Sequence, residues 1–204
     1  MRVKICGITR PEDALLAEAA GADAIGLIFA PHSKRCVTLA QAQTIIAPLG
    51  PFIQRVGVFV NQPLSDVGGV AETLRLSAIQ LHGDEPPAYA RELRQHYPVI
   101  KAVSFSPTLT AESLRDFPAD AILLDGVKPG SGEAFAWEAA SALGRLPKLI
   151  LAGGLTPDNV ALAIRTLRPY AVDVASGVER EPGIKDPERL RLFIQTAKRC
   201  APAL

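Results

Sequence analysis

Short apolar runs and longer amphipathic stretches alternate along this chain from end to end. The runs are VKIC (3–6), DAIGLIF (23–29), QRVGVFV (54–60), SAIQLH (77–82), VIKAVSF (99–105), DAILLD (120–125), KLILA (148–152) and AVDVAS (171–176). They are rich in Val and Ile and too short for helices, so they read as strands. The stretches between them are rich in Ala and Leu at helical spacing, and several carry recognisable starts. TRPE places Thr9 and Glu12 as a capping box with Pro11 in the first turn, and TLAQ places Thr38 and Gln41 in the same relation. LTPDN offers Thr156 as an N-cap with Pro157 behind it, and KDPER offers Asp186 with Pro187. The weakest helical pattern is TLTAESLRDF, between the fifth and sixth runs, which reads as mostly loop.

Strand–helix units repeated without a break in composition imply a parallel α/β fold. An open doubly wound sheet and a closed barrel both satisfy that rhythm. Eight equal units of about 25 residues each favour a single-domain (β/α)8 TIM barrel over residues 1–204, at the small end of that fold's size range. No G-x-G-x-x-G follows the first strand, which weakens a dinucleotide-binding reading.

Composition narrows the function classes. The chain has 204 residues, 48% hydrophobic and 21% charged, with a formal net charge of +1. No block of Lys and Arg points to nucleic acid or an anionic membrane surface. No apolar run approaches the ~20 residues of a membrane helix, and Lys4 interrupts the early apolar stretch where a signal peptide would need continuity. A cytoplasmic protein is expected. The three cysteines, Cys6, Cys36 and Cys200, are far apart and form no C-x-x-C, so neither a metal site nor a disulfide framework is expected. Cys36 and Cys200 read as structural or incidental.

In a (β/α)8 barrel, reactive groups gather where strands end and loops begin on the C-terminal face. At those positions this chain carries Cys6-Gly7, His82-Gly83, Asp125-Gly126, Gly153-Gly154 and Ser176-Gly177, with Arg35 in the loop after the second strand. Each has a plainer explanation. A lone cysteine in an apolar strand is commonly a small buried hydrophobe. Asp125 could cap a turn, His82 could be a hydrogen-bonded core histidine, and Arg35 could belong to a solvated basic loop. Their convergence on one rim favours chemistry, because stability alone would not sort them there. The glycine turns after strands seven and eight sit where such barrels hold phosphate, through backbone N–H groups that approach the anion closely. KPGSGEAF, after the sixth strand, is long for its connection and reads as a lid. Lys4 shares a strand face with Cys6 and so points into the barrel. A buried ammonium needs a partner, and Asp173 on the neighbouring eighth strand is the candidate. Such a cation below Cys6 would favour thiolate character.

Taken together, KICGIT, GLIFAPHSKRCV, VGVFVN, QLHGDE, LLDG, GSGEAFAW, LAGGLTPDNV and VDVASGVEREPGIKD resemble the motifs of the phosphoribosylanthranilate isomerases of tryptophan biosynthesis, over essentially the whole chain. The resemblance implies an Amadori rearrangement of N-(5-phosphoribosyl)anthranilate to 1-(2-carboxyphenylamino)-1-deoxyribulose 5-phosphate. It implies Cys6 as general base and Asp125 as general acid. It also implies Arg35 at the anthranilate carboxylate, Gly153, Gly154, Ser176 and Gly177 around the phosphate, and His82 lining the pocket. No metal or organic cofactor is implied, and the family's members are monomers or homodimers. Asp125 must hold a proton at the outset, which burial or the substrate's own charges would favour. Ala136 stands where the family usually has aspartate, and Lys128-Pro129 where it has small residues. Three rivals remain: the related sugar isomerase of histidine biosynthesis (or a barrel taking both substrates), a metal-dependent sugar-phosphate epimerase, and a phosphate-binding barrel without catalysis. The first uses aspartate at the end of strand one, which Cys6 argues against. The second needs histidines that this chain lacks.

Overall fold

A computed structural model describes residues 1–126 and 137–200. The readings made for the loop after the sixth strand (the KPGSGEAF lid, Lys128-Pro129 and Ala136) therefore lie outside the described residues.

Eight strands form where the eight apolar runs predict them. They are β1 (Arg2–Ile5), β2 (Ala24–Ile28), β3 (Gln54–Phe59), β4 (Ala78–Leu81), β5 (Val99–Ser104), β6 (Ala121–Asp125), β7 (Leu149–Leu151) and β8 (Ala171–Val174). All pair in parallel with their chain neighbours, and β1 closes the barrel onto β8. The closing register sets Lys4 opposite Asp173. Connecting helices are α1 (Pro11–Ala19), α2 (Leu39–Ile46), α3 (Leu64–Leu74), α4 (Pro87–Arg94), α5 (Ala111–Arg115), α6 (Val160–Leu167) and α7 (Pro187–Arg199). The α5 helix has only five residues, as its weak pattern predicts. Between β6 and β7 a 3-10 segment, Trp137–Arg145, takes the helix position.

Two apolar layers hold the barrel together. The larger lies between strands and helices. In α7 the buried residues Leu190, Phe193, Ile194 and Ala197 recur at helical spacing and face it. Fully burying a side chain such as Phe193 or Ile194 contributes about 1.5–3 kcal/mol. The smaller layer fills the barrel interior with Ala102, Leu123, Ile150, Ala152 and Ala171. Those residues come from β5 to β8 and their ends.

Two helix starts differ from expectation. In α1 the N-cap is Arg10, not Thr9, because Pro11 occupies the first helical position. Arg10 braces the turn by binding Asp13 at 2.7 and 3.1 Å. The Thr9 hydroxyl donates instead to the Gly183 carbonyl, in a segment remote in sequence. At the other site, α6 starts at Val160 and Thr156 is not its cap. The Asn159 side chain accepts from the Thr156 N–H at 2.8 Å and donates to the Gly154 carbonyl at 2.9 Å, so it stiffens the loop leading into the helix. The other two starts are as read. Thr38 and Gln41 form the reciprocal capping box, and Asp186 accepts from the N–H groups of Glu188 and Arg189.

After β8 a short 3-10 turn, Ser176–Val178, leads into a hairpin of β9 (Glu179–Glu181) and β10 (Ile184–Lys185). Sequence reasoning missed this hairpin. Its available signal was the REPGIK stretch, in which Pro182 and Gly183 separate two short extended pairs.

Candidate active site

A cavity of about 600 Å³ opens at the C-terminal end of the barrel. Cys6, Arg35, His82 and Asp125 line it, and so do Gly153, Gly154, Ser176 and Gly177. All eight residues singled out from the sequence thus share one space. Cys6 follows β1 and Asp125 ends β6, so β7 and β8 separate the thiol from the carboxylate around the wall.

The floor of the cavity below Cys6 is charged. Lys4 Nζ lies 2.9 Å from Asp173 Oδ1, with both side chains inside the barrel and over nine-tenths buried. This is the pair the strand register predicts. Gly26 on β2 makes room for it: a Cβ there would stand 2.7 Å from Cys6 Sγ and 3.0 Å from Lys4 Nζ. Burial works against the Lys4 ammonium, but Asp173 and Cys6 outweigh it and raise the Lys4 pKa. The effect on the thiol differs from the sequence expectation. Burial is the largest influence on Cys6 and pushes its pKa up; Lys4 pulls it down, and Asp173 pushes it up again. The net direction is upward. Lys4 does favour the thiolate as expected, but its partner cancels much of its field and the apolar surroundings decide the balance.

Asp125 is 7% exposed and held by a hydrogen bond at one oxygen. Oδ1 accepts from the Gly126 N–H at 2.8 Å, and Oδ2 lies 3.4 Å from His82 Nε2. His82 Nδ1 meets the Gln80 side-chain nitrogen at 3.1 Å. Gln80 is a residue the sequence reading passed over, because a glutamine inside a strand signals nothing by itself.

Glycine is required at two turns. Gly153 has φ +78°, and a Cβ on it would come within 2.2 Å of the Gly126 nitrogen. At Gly177 a Cβ would stand 1.8 Å from the Leu155 carbonyl oxygen. Only glycine lets these loops pack so closely beside Asp125 and the cavity. The N–H groups of Gly153 and Gly154 meet no acceptor among the described residues, which leaves them available to an anion.

Arg35 is tied down rather than loose in solvent. Its Nε and Nη2 donate to Glu179 Oε1 and Oε2 at 2.8 and 2.7 Å. Burial disfavours the Glu179 carboxylate, but Arg35 and Lys185 outweigh it and hold its pKa below the usual range. Neither Glu179 nor Lys185 was singled out from the sequence. Both belong to the hairpin, whose approach to the cavity depends on the fold. Among the described residues, no group of three or more His, Cys, Asp or Glu side chains is arranged to hold a metal ion. No helix there is long and apolar enough to cross a membrane.

The family model for N-(5'phosphoribosyl)anthranilate (PRA) isomerase matches residues 3–196. This chain belongs to that family. A relative from Geobacter sulfurreducens, an N-(5'-phosphoribosyl)anthranilate isomerase, is 50% identical over 202 residues, covering 97% of this chain and 98% of its own. Among solved structures, the phosphoribosyl anthranilate isomerase of Thermus thermophilus superposes with a TM-score of 0.92 at 49% identity, covering 98% of this chain and 99% of its own. Another, at TM-score 0.87 and 43% identity, covers 98% of this chain and 99% of its own. It was solved in complex with reduced 1-(o-carboxyphenylamino)-1-deoxyribulose 5-phosphate.

Proposed function

We propose that this protein isomerises N-(5'-phosphoribosyl)anthranilate to 1-(2-carboxyphenylamino)-1-deoxyribulose 5-phosphate, with Cys6 as general base and Asp125 as general acid. The carrying observation is that a thiol and a carboxylate from separated strands share one cavity with two glycine turns, and that the Gly153 and Gly154 N–H groups of the first turn meet no acceptor among the described residues. Asp125 gives its proton to the furanose ring oxygen. The C1'–O bond breaks with its electrons going to oxygen, and the ring opens to an iminium. That cation acidifies the C2' hydrogen, which the Cys6 thiolate removes. The electron pair passes to C1'=C2' and neutralises the iminium nitrogen, giving an enolamine. Tautomerisation then yields the ketone at C2'. Acid and base act on different parts of the sugar, which suits their separation on the wall.

Arg35 takes the anthranilate carboxylate. Gly153, Gly154, Ser176 and Gly177 surround the phosphate, and His82 lines the sugar site beside Asp125. The chain acts as a monomer or homodimer in the cytoplasm. Pairing of its first barrel strand with its last supports reading residues 1–204 as one domain.

The test is turnover of this substrate, followed as loss of its fluorescence, beside the corresponding histidine-pathway substrate. Turnover of the latter alone would sink the reading. Cys6→Ser and Asp125→Asn should each lower kcat by about 10² to 10⁴-fold with the fold intact. Near-normal kcat in either variant refutes that residue's role.

A further inference from the structure

Arg35 is held at its stem and at its head, and the arrangement leads back to the proposed base. Its methylene stem lies across Gly7, where a Cβ would stand 2.4 Å from Arg35 Cδ. Its head is forked onto Glu179 through Nε and Nη2. Glu179 in turn accepts from Lys185 Nζ at 2.8 Å. The Lys185 side chain is 0% exposed, and Nζ also donates to the carbonyls of Cys6 at 2.7 Å and Ala175 at 3.1 Å. Burial pushes the Lys185 pKa down, yet three acceptors at one nitrogen match the ammonium and not the amine. The result is a closed circuit: Cys6 carbonyl, Lys185, Glu179, Arg35, and back over Gly7, the residue after Cys6.

We infer that Glu179 is a positioning residue that sets selectivity for a substrate carboxylate, by fixing one edge of the Arg35 guanidinium so that the other faces the cavity. The inference rests on the proposed role of Arg35. A bidentate fork fixes both the place and the plane of a guanidinium. Arg35 Nη1 binds no described residue and is left for the ligand. Charge fits the same purpose. Arg35 and Lys185 bring two positive charges and Glu179 one negative, so the cluster keeps one net positive charge for a single incoming carboxylate. Without Lys185, the Arg35–Glu179 pair would be neutral and would attract an anion only weakly. Lys185 also ties Glu179 to the ends of β1 and β8, which sets the carboxylate site at a constant offset from the thiol.

The experiment compares binding of reduced 1-(o-carboxyphenylamino)-1-deoxyribulose 5-phosphate with its analogue lacking the ring carboxylate, by calorimetry on the full chain. The wild type should prefer the carboxylated ligand by about 10- to 100-fold. In Glu179→Gln that preference should shrink about tenfold, with affinity for the other ligand little changed. A purely structural role would weaken both ligands alike. Glu179→Gln leaves Lys185 unpaired, so Glu179→Gln combined with Lys185→Met removes both buried charges and should show the same loss of preference. A retained preference, or tighter binding of the carboxylated ligand, overturns the inference; tighter binding would make Glu179 a competitor for Arg35. In the unmodified protein, the Arg35 Nε–H NMR signal should stay protected and unshifted when the carboxylated ligand binds, and its release would also overturn the inference. A wild type that binds neither ligand would defeat the proposed function itself. Equal wild-type affinities would defeat the Arg35 assignment and this inference with it.

Discussion

Replacing Lys4 by methionine removes one half of a buried ion pair while keeping similar side-chain bulk. Lys4 Nζ and Asp173 Oδ1 are 2.9 Å apart, and the two side chains are 6% and 8% exposed. An exposed pair would contribute about 0.2–1 kcal/mol. Here the single change leaves a carboxylate stranded in the barrel, and such losses amount to about 3–5 kcal/mol. Asp173→Asn should cost a similar amount, by stranding the ammonium. The double variant holds no buried charge and should recover much of the loss, with a coupling energy of about 2 kcal/mol or more. Urea denaturation at pH 7 of the wild type, both single variants and the double variant measures every term. Single losses under about 1 kcal/mol, or strict additivity, would refute the view that this is a desolvated and mutually dependent pair. The pH dependence has a definite sign. Lys4's folded pKa is raised above 10.5, so its contribution is fully present below that value and is lost as pH rises through the raised one. The stability gap between wild type and Lys4→Met should therefore narrow in strong alkali. The same variant tests the thiol. Lys4 pulls the Cys6 pKa down while Asp173 pushes it up, so losing Lys4 removes the pull and leaves the push unopposed. In a background carrying Cys36→Ser and Cys200→Ser, thiolate absorbance should appear at higher pH in Lys4→Met.

Two further outcomes test other parts of the structure. Gly177→Ala places a Cβ 1.8 Å from the Leu155 oxygen, so one of the two loops must shift by about 1 Å or more; kcat/KM should fall on the order of 10²-fold, and wild-type kinetics would show that the close approach is dispensable. Glu85 should matter for acid stability. Burial opposes its charge, but the bonds from Lys101 and the Asn61 N–H outweigh it and lower its pKa below 4.5. Its contribution is present above 4.5 and lost as pH falls through the lowered value, so Glu85→Gln should flatten the acid limb of a circular-dichroism titration, and an unchanged limb would count against it.

The barrel was legible because each strand states itself locally. Strands buried on both faces need unbroken apolar runs, and their β-branched residues stand apart from the Ala- and Leu-rich helices. The rim was legible for a related reason: in this fold, the end of a strand is also the position of a reactive group. Helix starts read less well. Thr9 and Thr156 both have the residue types of caps, but a hydroxyl bonds whichever acceptor is nearest. For Thr9 that is Gly183, which chain spacing does not reveal.

The sequence by itself therefore determined the eight-strand architecture, the place of eight of the residues that line the cavity, and the Lys4–Asp173 pair, because strand periodicity and barrel closure convert sequence position directly into facing side chains. It could not determine the direction of the Cys6 shift. That depends on burial, on Lys4 and on Asp173 together, and their balance exists only once the space around the thiol is filled. Nor could it reveal the circuit from Cys6 through Lys185 and Glu179 to Arg35. Those groups come from β1, from the hairpin that follows β8, and from the loop after β2, and only tertiary packing brings their charges within hydrogen-bonding distance.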